Sequence, residues 1–187
     1  ATSDGDREAA MLRGTRLHLL LEHLPAHPAP DWPRIAGAIL SGAEGGLPDA
    51  ADMALLLAEA GEILSAPALT QVLQPGPGAQ ILSEVALTAP LPGLGVLNGV
   101  IDRLVVTPDL ITAVDYKTNA DVPATPEAVP EGILRQMAAY RAALRGIWPG
   151  RPLRMAVLWT AGRSLMDLPD AVLDPVMARL GVEAPAS

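Results

Sequence analysis

Gly99-Val-Ile-Asp-Arg-Leu-Val-Val-Thr-Pro-Asp-Leu-Ile-Thr-Ala-Val-Asp-Tyr-Lys-Thr-Asn119 holds Asp102, Asp115 and Lys117 in a largely apolar run. It reads as two apolar strands joined by a tight turn at Thr107-Pro108-Asp109-Leu110, with Pro and Asp in favoured turn positions. With Pro108 and Asp109 at the tip, antiparallel pairing sets Thr107 against Leu110 and, counting outward, Asp102 against Asp115. Opposed residues share a sheet face with Cβ atoms about 4.5–5.5 Å apart. Lys117 lies two residues beyond Asp115, so the pleat puts it on that face too. Two carboxylates side by side among Val, Ile and Leu repel each other, and a bound cation is a physical reason for their being there.

Outward from this hairpin the chain changes character. Gln74-Pro-Gly-Pro-Gly78 is a strong breaker that divides helices from strands. Before it, helices are expected over 6–24, 32–41, 49–64 and 66–73. The first has Met11, Leu12, Leu19 and Leu20 at helical spacing and ends at Pro25. Asp49 and Asp52 suit the start of the third, whose core stripe is Met53, Leu56, Leu57, Ala60, Ile63 and Leu64. After the breaker, strands are expected over 79–88, 96–106, 110–118 and 154–160, with Leu91-Pro-Gly93 turning the first into the second. A Pro-rich loop at 119–130 leads to an amphipathic helix over 131–145, and a short helix over roughly 170–180 precedes a disordered end. The expectation is one domain of 187 residues, an α/β (α+β) fold: a motif helix at 6–24, a helical insertion at 26–75, a catalytic sheet and helix at 79–160, and a C-terminal helix and tail at 161–187.

Composition narrows the chemistry. There is no Cys, which excludes disulfides, Cys-ligated zinc and an iron–sulfur cluster within this chain. The lack of Cys fits a cytoplasmic location, which is expected, and no apolar run approaches the roughly 18 residues of a membrane span. The net charge of −8 argues against a free-standing nucleic-acid binder, yet residues 76–165 carry seven acids and eight bases and are nearly neutral. Lys117 is the single lysine, so the Gly-Lys of a phosphate-binding P-loop is absent.

The candidate chemistry centres on Asp102, Asp115 and Lys117. Paired carboxylates suit a hard cation such as Mg²⁺, which keeps waters and takes phosphate oxygens as further ligands. A nearby ammonium orients a nucleophile or offsets transition-state charge. The bland alternative is a surface ion pair, Asp115–Lys117 or Asp102–Arg103, at a sheet rim; the apolar flanks and the unique lysine favour the metal. Glu84, in the preceding strand, is a further carboxylate or an ordinary exposed residue, and both readings stay open. His18 by periodicity alone is a structural histidine. Gln136 and Tyr140 share a helix face at i and i+4, a spacing that means little by itself. Arg135, Arg141 and Arg145 give that helix basic edges that suit a DNA backbone or plain solvent. Trp32, Trp148 and Trp159 read as packing residues.

Taken together, Gly14-Thr-Arg-Leu-His18, Gly99-Val-Ile-Asp102, Asp115-Tyr-Lys117 and Gln136-Met-Ala-Ala-Tyr140 resemble, in order and spacing, the RecB-like branch of the PD-(D/E)XK nucleases. The stretches Arg13–His18 and Val114–Asn119 look most like the C-terminal nuclease domain of AddA-type helicase–nucleases. The resemblance implies a restriction-endonuclease-like α-β-β-β-α-β core with an N-terminal helical insertion. It implies Mg²⁺-dependent phosphodiester hydrolysis, with Mn²⁺ able to substitute. His18, Asp102 and Asp115 would be ligands or their supports, Lys117 would sit at the nucleophile, and Gln136 and Tyr140 would support it. It also implies a DNA exonuclease in double-strand-break processing, fed single strands by a helicase part and paired with an AddB-type subunit. The chain would then be a fragment of that larger protein, which its first residue, Ala1, also fits. Two rivals are a non-catalytic nuclease-like module that binds DNA or a subunit, and a small-molecule phosphohydrolase.

Overall fold

A computed structural model of the chain describes residues 4–91 and 95–183. The chain divides into two compact units, Ala1–Gln74 and Pro75–Ser187, and the division falls at the expected breaker. The expected turn at Leu91-Pro-Gly93 and the last residues of the tail lie outside the described residues.

The N-terminal unit is helical: α1 (Asp4–His23), α2 (Trp32–Ser41), α3 (Ala50–Leu64) and α4 (Pro67–Leu73). Asp49 caps α3, its carboxylate accepting from the Asp52 N–H at 2.8 Å, a contact worth about 1 kcal/mol. Leu56, Ala60, Ile63 and Leu64 of the expected stripe are buried, while Met53 and Leu57 are half-buried. On α1, of the residues noted at helical spacing, Leu20 is buried, Leu12 and Leu19 are half-buried and Met11 is exposed. The buried residues are Gly14, Leu17, Leu20 and Leu21, continued by Leu24, and Met11 is 75 % exposed. At 100° per residue Met11 lies about 120° from the centre of that face. Leucines crowd all round the second half of α1, so spacing alone did not select the face.

The second unit is a five-stranded sheet in the order β1 (Gln80–Leu91), β2 (Gly95–Val106), β3 (Ile111–Lys117), β4 (Leu153–Trp159) and β5 (Ser164–Asp167). β1, β2 and β3 form an antiparallel meander. β3 and β4 are parallel, connected through α5 (Glu131–Ile147), and β5 returns antiparallel along β4. The central hairpin has the expected register, from Val106–Ile111 to Arg103–Val114. Its turn is closed by the Thr107 N–H donating to the Leu110 carbonyl at 2.9 Å, and by the Leu110 N–H donating to the Thr107 hydroxyl at 3.1 Å. β5 is an addition: four residues, Ser-Leu-Met-Asp, with no long apolar alternation to announce them.

Leu104, Ile111, Ala113, Met155, Val157 and Trp159 of the sheet pack with Leu134, Met137, Ala138 and Leu144 of α5 in one core, joined by Leu173 and Val176 of α6 (Asp170–Glu183). α6 is also held electrostatically. Arg141 of α5 is buried and pairs with Asp170 and, at 2.6 Å, with Asp174. Burial works to raise the Asp170 pKa, but the Arg141 hydrogen bond and charge outweigh it and hold the carboxyl below its ordinary value. That contribution is present above the ordinary carboxyl range and is lost as pH falls through it. Breaking a buried pair costs about 3–5 kcal/mol and an exposed one about 0–1. These carboxylates are mostly exposed, so replacing both with Asn is expected to cost about 1–3 kcal/mol. Amide exchange in α6 should accelerate accordingly while the sheet amides stay protected; unchanged α6 exchange would contradict this role for Arg141.

Candidate active site

A local irregularity in β1 and β2 builds the site. In β1 the core-side residues run Val85, Leu87, Ala89 and Leu91, but Leu82 toward the start; in β2 they run Leu97 and Ile101, then Leu104 and Val106. Odd positions give way to even ones, so both strands change face between these pairs. The ladder is paired at Ser83–Arg103 and Val85–Ile101 and interrupted at the rung between, which holds Glu84 and Asp102. Glu84 has φ +50°, a left-handed conformation unusual for a residue with a side chain. Strain of this kind is found where a site demands it.

On the other side of Asp102, the β2–β3 ladder ends at Arg103–Val114. One step further the same register sets Asp102 against Asp115. There the Asp102 Oδ2 accepts the Tyr116 N–H at 2.5 Å, so a carboxylate occupies the donor that the next ladder bond would use. Asp115 is 3 % exposed. Lys117 Nζ stands 2.6 Å from the buried Asp115 Oδ2, an ion pair. The Asp115–Lys117 pair, weighed above as an alternative at a sheet rim, joins a buried carboxylate to a half-buried lysine. Arg103 is not on the surface either: it is 2 % exposed and its Nε donates to the Tyr116 hydroxyl at 2.7 Å.

Electrostatics mark Asp102. Burial, and then the adjacent Asp115 charge, push its carboxyl up to about 7 from 3.8, against the Tyr116 N–H and Lys117; Glu84 adds to the rise. The folded protein therefore holds an extra proton between about pH 4 and 7, and loses stability as pH rises through that window. A carboxyl must shed this proton to bind a cation. Apparent Mn²⁺ affinity is expected to fall about tenfold per pH unit below about pH 7 and to level off above it. Calorimetric titration across that range checks the slope; a flat profile would exclude Asp102 as a ligand.

Gln136 and Tyr140, which by spacing meant little, complete the arrangement from α5. Lys117 Nζ lies 3.4 Å from Gln136 Oε1, Gln136 Nε2 donates to the Tyr140 hydroxyl at 3.0 Å, and that hydroxyl donates to the Val100 carbonyl at 2.9 Å. A continuous polar chain thus runs from the ammonium back to β2. The strand order, the opposed aspartates, the single lysine and the helix that supports it now stand together. The sequence model of the PD-(D/E)XK nuclease superfamily matches residues 2–170. The chain belongs to this superfamily. No curated protein matches it.

Members of the PD-(D/E)XK superfamily are nucleases that typically use divalent metals, and the donor set here fits such an ion. Two carboxylates are hard oxygen donors, and a cation between them would relieve their mutual repulsion. Among the described residues no three His, Cys, Asp or Glu side chains gather into a ready-made metal cage. A Mg²⁺ ion that keeps several waters needs only one or two protein carboxylates. Glu84 shares the rung with Asp102 and acts on its charge but is itself exposed. His18 belongs to the helical unit, half-buried on α1 near buried Gly14 in sequence.

One expectation is corrected. Arg135, Arg141 and Arg145 do not form a free basic edge. Arg135 pairs with Glu131 at 3.5 Å, Arg145 pairs with Asp170 at 3.0 Å, and Arg141 is interior. The α6 partners of Arg141 and Arg145 lie 25 to 33 residues away, which spacing along α5 does not reveal. Trp159 is fully buried and the Trp32 indole N–H is shared by the Leu24 and His27 carbonyls, as suits packing residues.

Proposed function

We propose that this protein is a divalent-metal-dependent DNA exonuclease, the nuclease part of an ATP-dependent helicase–nuclease of AddA type that acts in double-strand-break repair in the cytoplasm. The observation that carries the proposal is the buried juxtaposition of Asp102 and Asp115 with Lys117 at 2.6 Å from the latter. The order of the four motifs supports the narrower assignment.

Asp102 and Asp115 would hold the ion, preferentially Mg²⁺, with Mn²⁺ substituting. A divalent cation supplies polarisation of the phosphoryl group and a lowered pKa for water. The Lys117 side chain would donate hydrogen bonds, fixing the attacking water by its oxygen and offsetting the charge that grows on the phosphoryl oxygens. Gln136 and Tyr140 hold that ammonium in direction. In-line attack forms the new P–O bond as the bond to the leaving sugar oxygen breaks; the water gives up its proton to solvent, and the leaving oxygen takes one from solvent. The resemblance adds His18 as a further ligand, so His18→Ala is expected to weaken Mn²⁺ binding.

The acidic net charge, with five described arginines paired to carboxylates, favours delivered DNA. Arg135, Arg141, Arg145, Arg154 and Arg179 are all committed to carboxylates, and the chain is acidic overall. Affinity for the phosphate backbone would therefore come chiefly from a helicase part and an AddB-type partner subunit that pass a single strand to this site. The test compares linear and covalently closed circular DNA with Mg²⁺ and with chelator. Shortening of linear DNA from its ends, with circles intact and no reaction in chelator, is expected. Cleavage of closed circles would overturn the exonuclease assignment, and cleavage in chelator would overturn the metal.

A further inference from the structure

Gly99 sits in β2 across from Leu87, three residues before Asp102. Its backbone is not left-handed, so nothing in its conformation calls for glycine, and in a strand interior alanine is the better residue. The space around it says otherwise. A Cβ added to Gly99 would stand 2.6 Å from Cε1, 2.7 Å from the hydroxyl oxygen and 3.0 Å from Cζ of Tyr140. Real Cβ atoms do not approach so closely. Tyr140 is 3 % exposed and is held at its tip by the Val100 carbonyl and by Gln136, so it yields only by giving up those hydrogen bonds.

We infer that Gly99 is a positioning residue. The missing side chain leaves a notch that seats the Tyr140 ring against β2, and through Tyr140 and Gln136 the notch sets the direction of the Lys117 ammonium. The mechanistic half rests on the role proposed above for Lys117; the positional half does not. Gly99→Ala should therefore improve the strand locally while misdirecting a group it never touches. A misplacement of about 1 Å remote from the chemistry can cost about 100-fold in rate.

Lys117 is the single lysine, so protein grown with ¹⁵N-lysine gives one side-chain ammonium resonance. Gly99→Ala is expected to move that resonance, and to lower kcat about 10- to 100-fold with KM and Mn²⁺ affinity little changed. Tyr140→Leu removes the colliding ring tip. In that background, adding Gly99→Ala should change neither the resonance nor kcat by more than about twofold, because the two sites act as one. An unmoved resonance in Gly99→Ala, or an equal effect of Gly99→Ala in the Tyr140→Leu background, would overturn the inference. If Gly99→Ala fails to fold, Tyr140→Leu should restore folding; a double variant that also fails would contradict the notch. If the wild-type protein hydrolyses no DNA, the proposed function falls, while the resonance still decides the notch.

Discussion

Asp115→Asn is expected to abolish metal-dependent DNA hydrolysis, a loss of about 1000-fold or more, in a protein that stays folded. The substitution keeps volume and removes one charge from a site that holds two. Asp115 is the second cause of the raised Asp102 pKa, so its neutralisation lets the Asp102 carboxyl fall back toward the ordinary range. The folded protein then binds less excess proton, and its stability should decline less steeply between about pH 4 and 7. The variant loses one oxygen donor and its ion pair with Lys117, and calorimetry should show Mn²⁺ binding lost with it. Thermal unfolding separates the two effects: a retained midpoint with lost hydrolysis fits a ligand, whereas a collapsed midpoint fits a structural ion pair. Retained hydrolysis would sink the catalytic assignment.

Lys117→Met is expected to split binding from rate in the opposite sense. Methionine keeps the stem and removes the ammonium from beside Asp115 and Gln136. A cation then enters a site with one positive charge fewer, so Mn²⁺ should bind at least as tightly as in the wild type. The rate should fall about 100- to 10,000-fold, the range for losing a group that acts on the nucleophile or the developing charge. Because Lys117 also lowers the Asp102 pKa, its removal shifts the pH dependence of metal binding upward. Weakened Mn²⁺ binding would instead make the lysine a structural partner of the ligand set, and unfolding would make it part of the core.

The hairpin was legible in the sequence because its information is local. The Thr107–Leu110 turn fixes the register, and the register carries Asp102 to Asp115 by counting alone. Gln136 and Tyr140 were legible only as a motif; that the helix turns this face to Lys117 depends on packing between Met137, Ala138 and the sheet. What escaped reading depends on partners distant in sequence or on backbone geometry. Arg141 looks like a surface arginine until Asp170 and Asp174 are brought to it. Arg103 looks like a rim charge until Tyr116 comes to meet it. The left-handed turn of Glu84, which lets two strands change face at the site, has no signal in Ile81-Leu-Ser-Glu-Val-Ala-Leu87. Gly99 was visible as a letter of a motif, but its reason, the Tyr140 ring, lies 41 residues further along.

Asp102 and Asp115 are proposed to hold one divalent cation together. Anomalous diffraction from a crystal soaked in Mn²⁺ at about pH 8, above the Asp102 titration, tests it most directly. An anomalous peak is expected within about 2.0–2.6 Å of oxygens from both carboxylates, the range of hard-cation bonds. A fully soaked crystal with no peak there, and with Lys117 still bridging to Asp115, would contradict it.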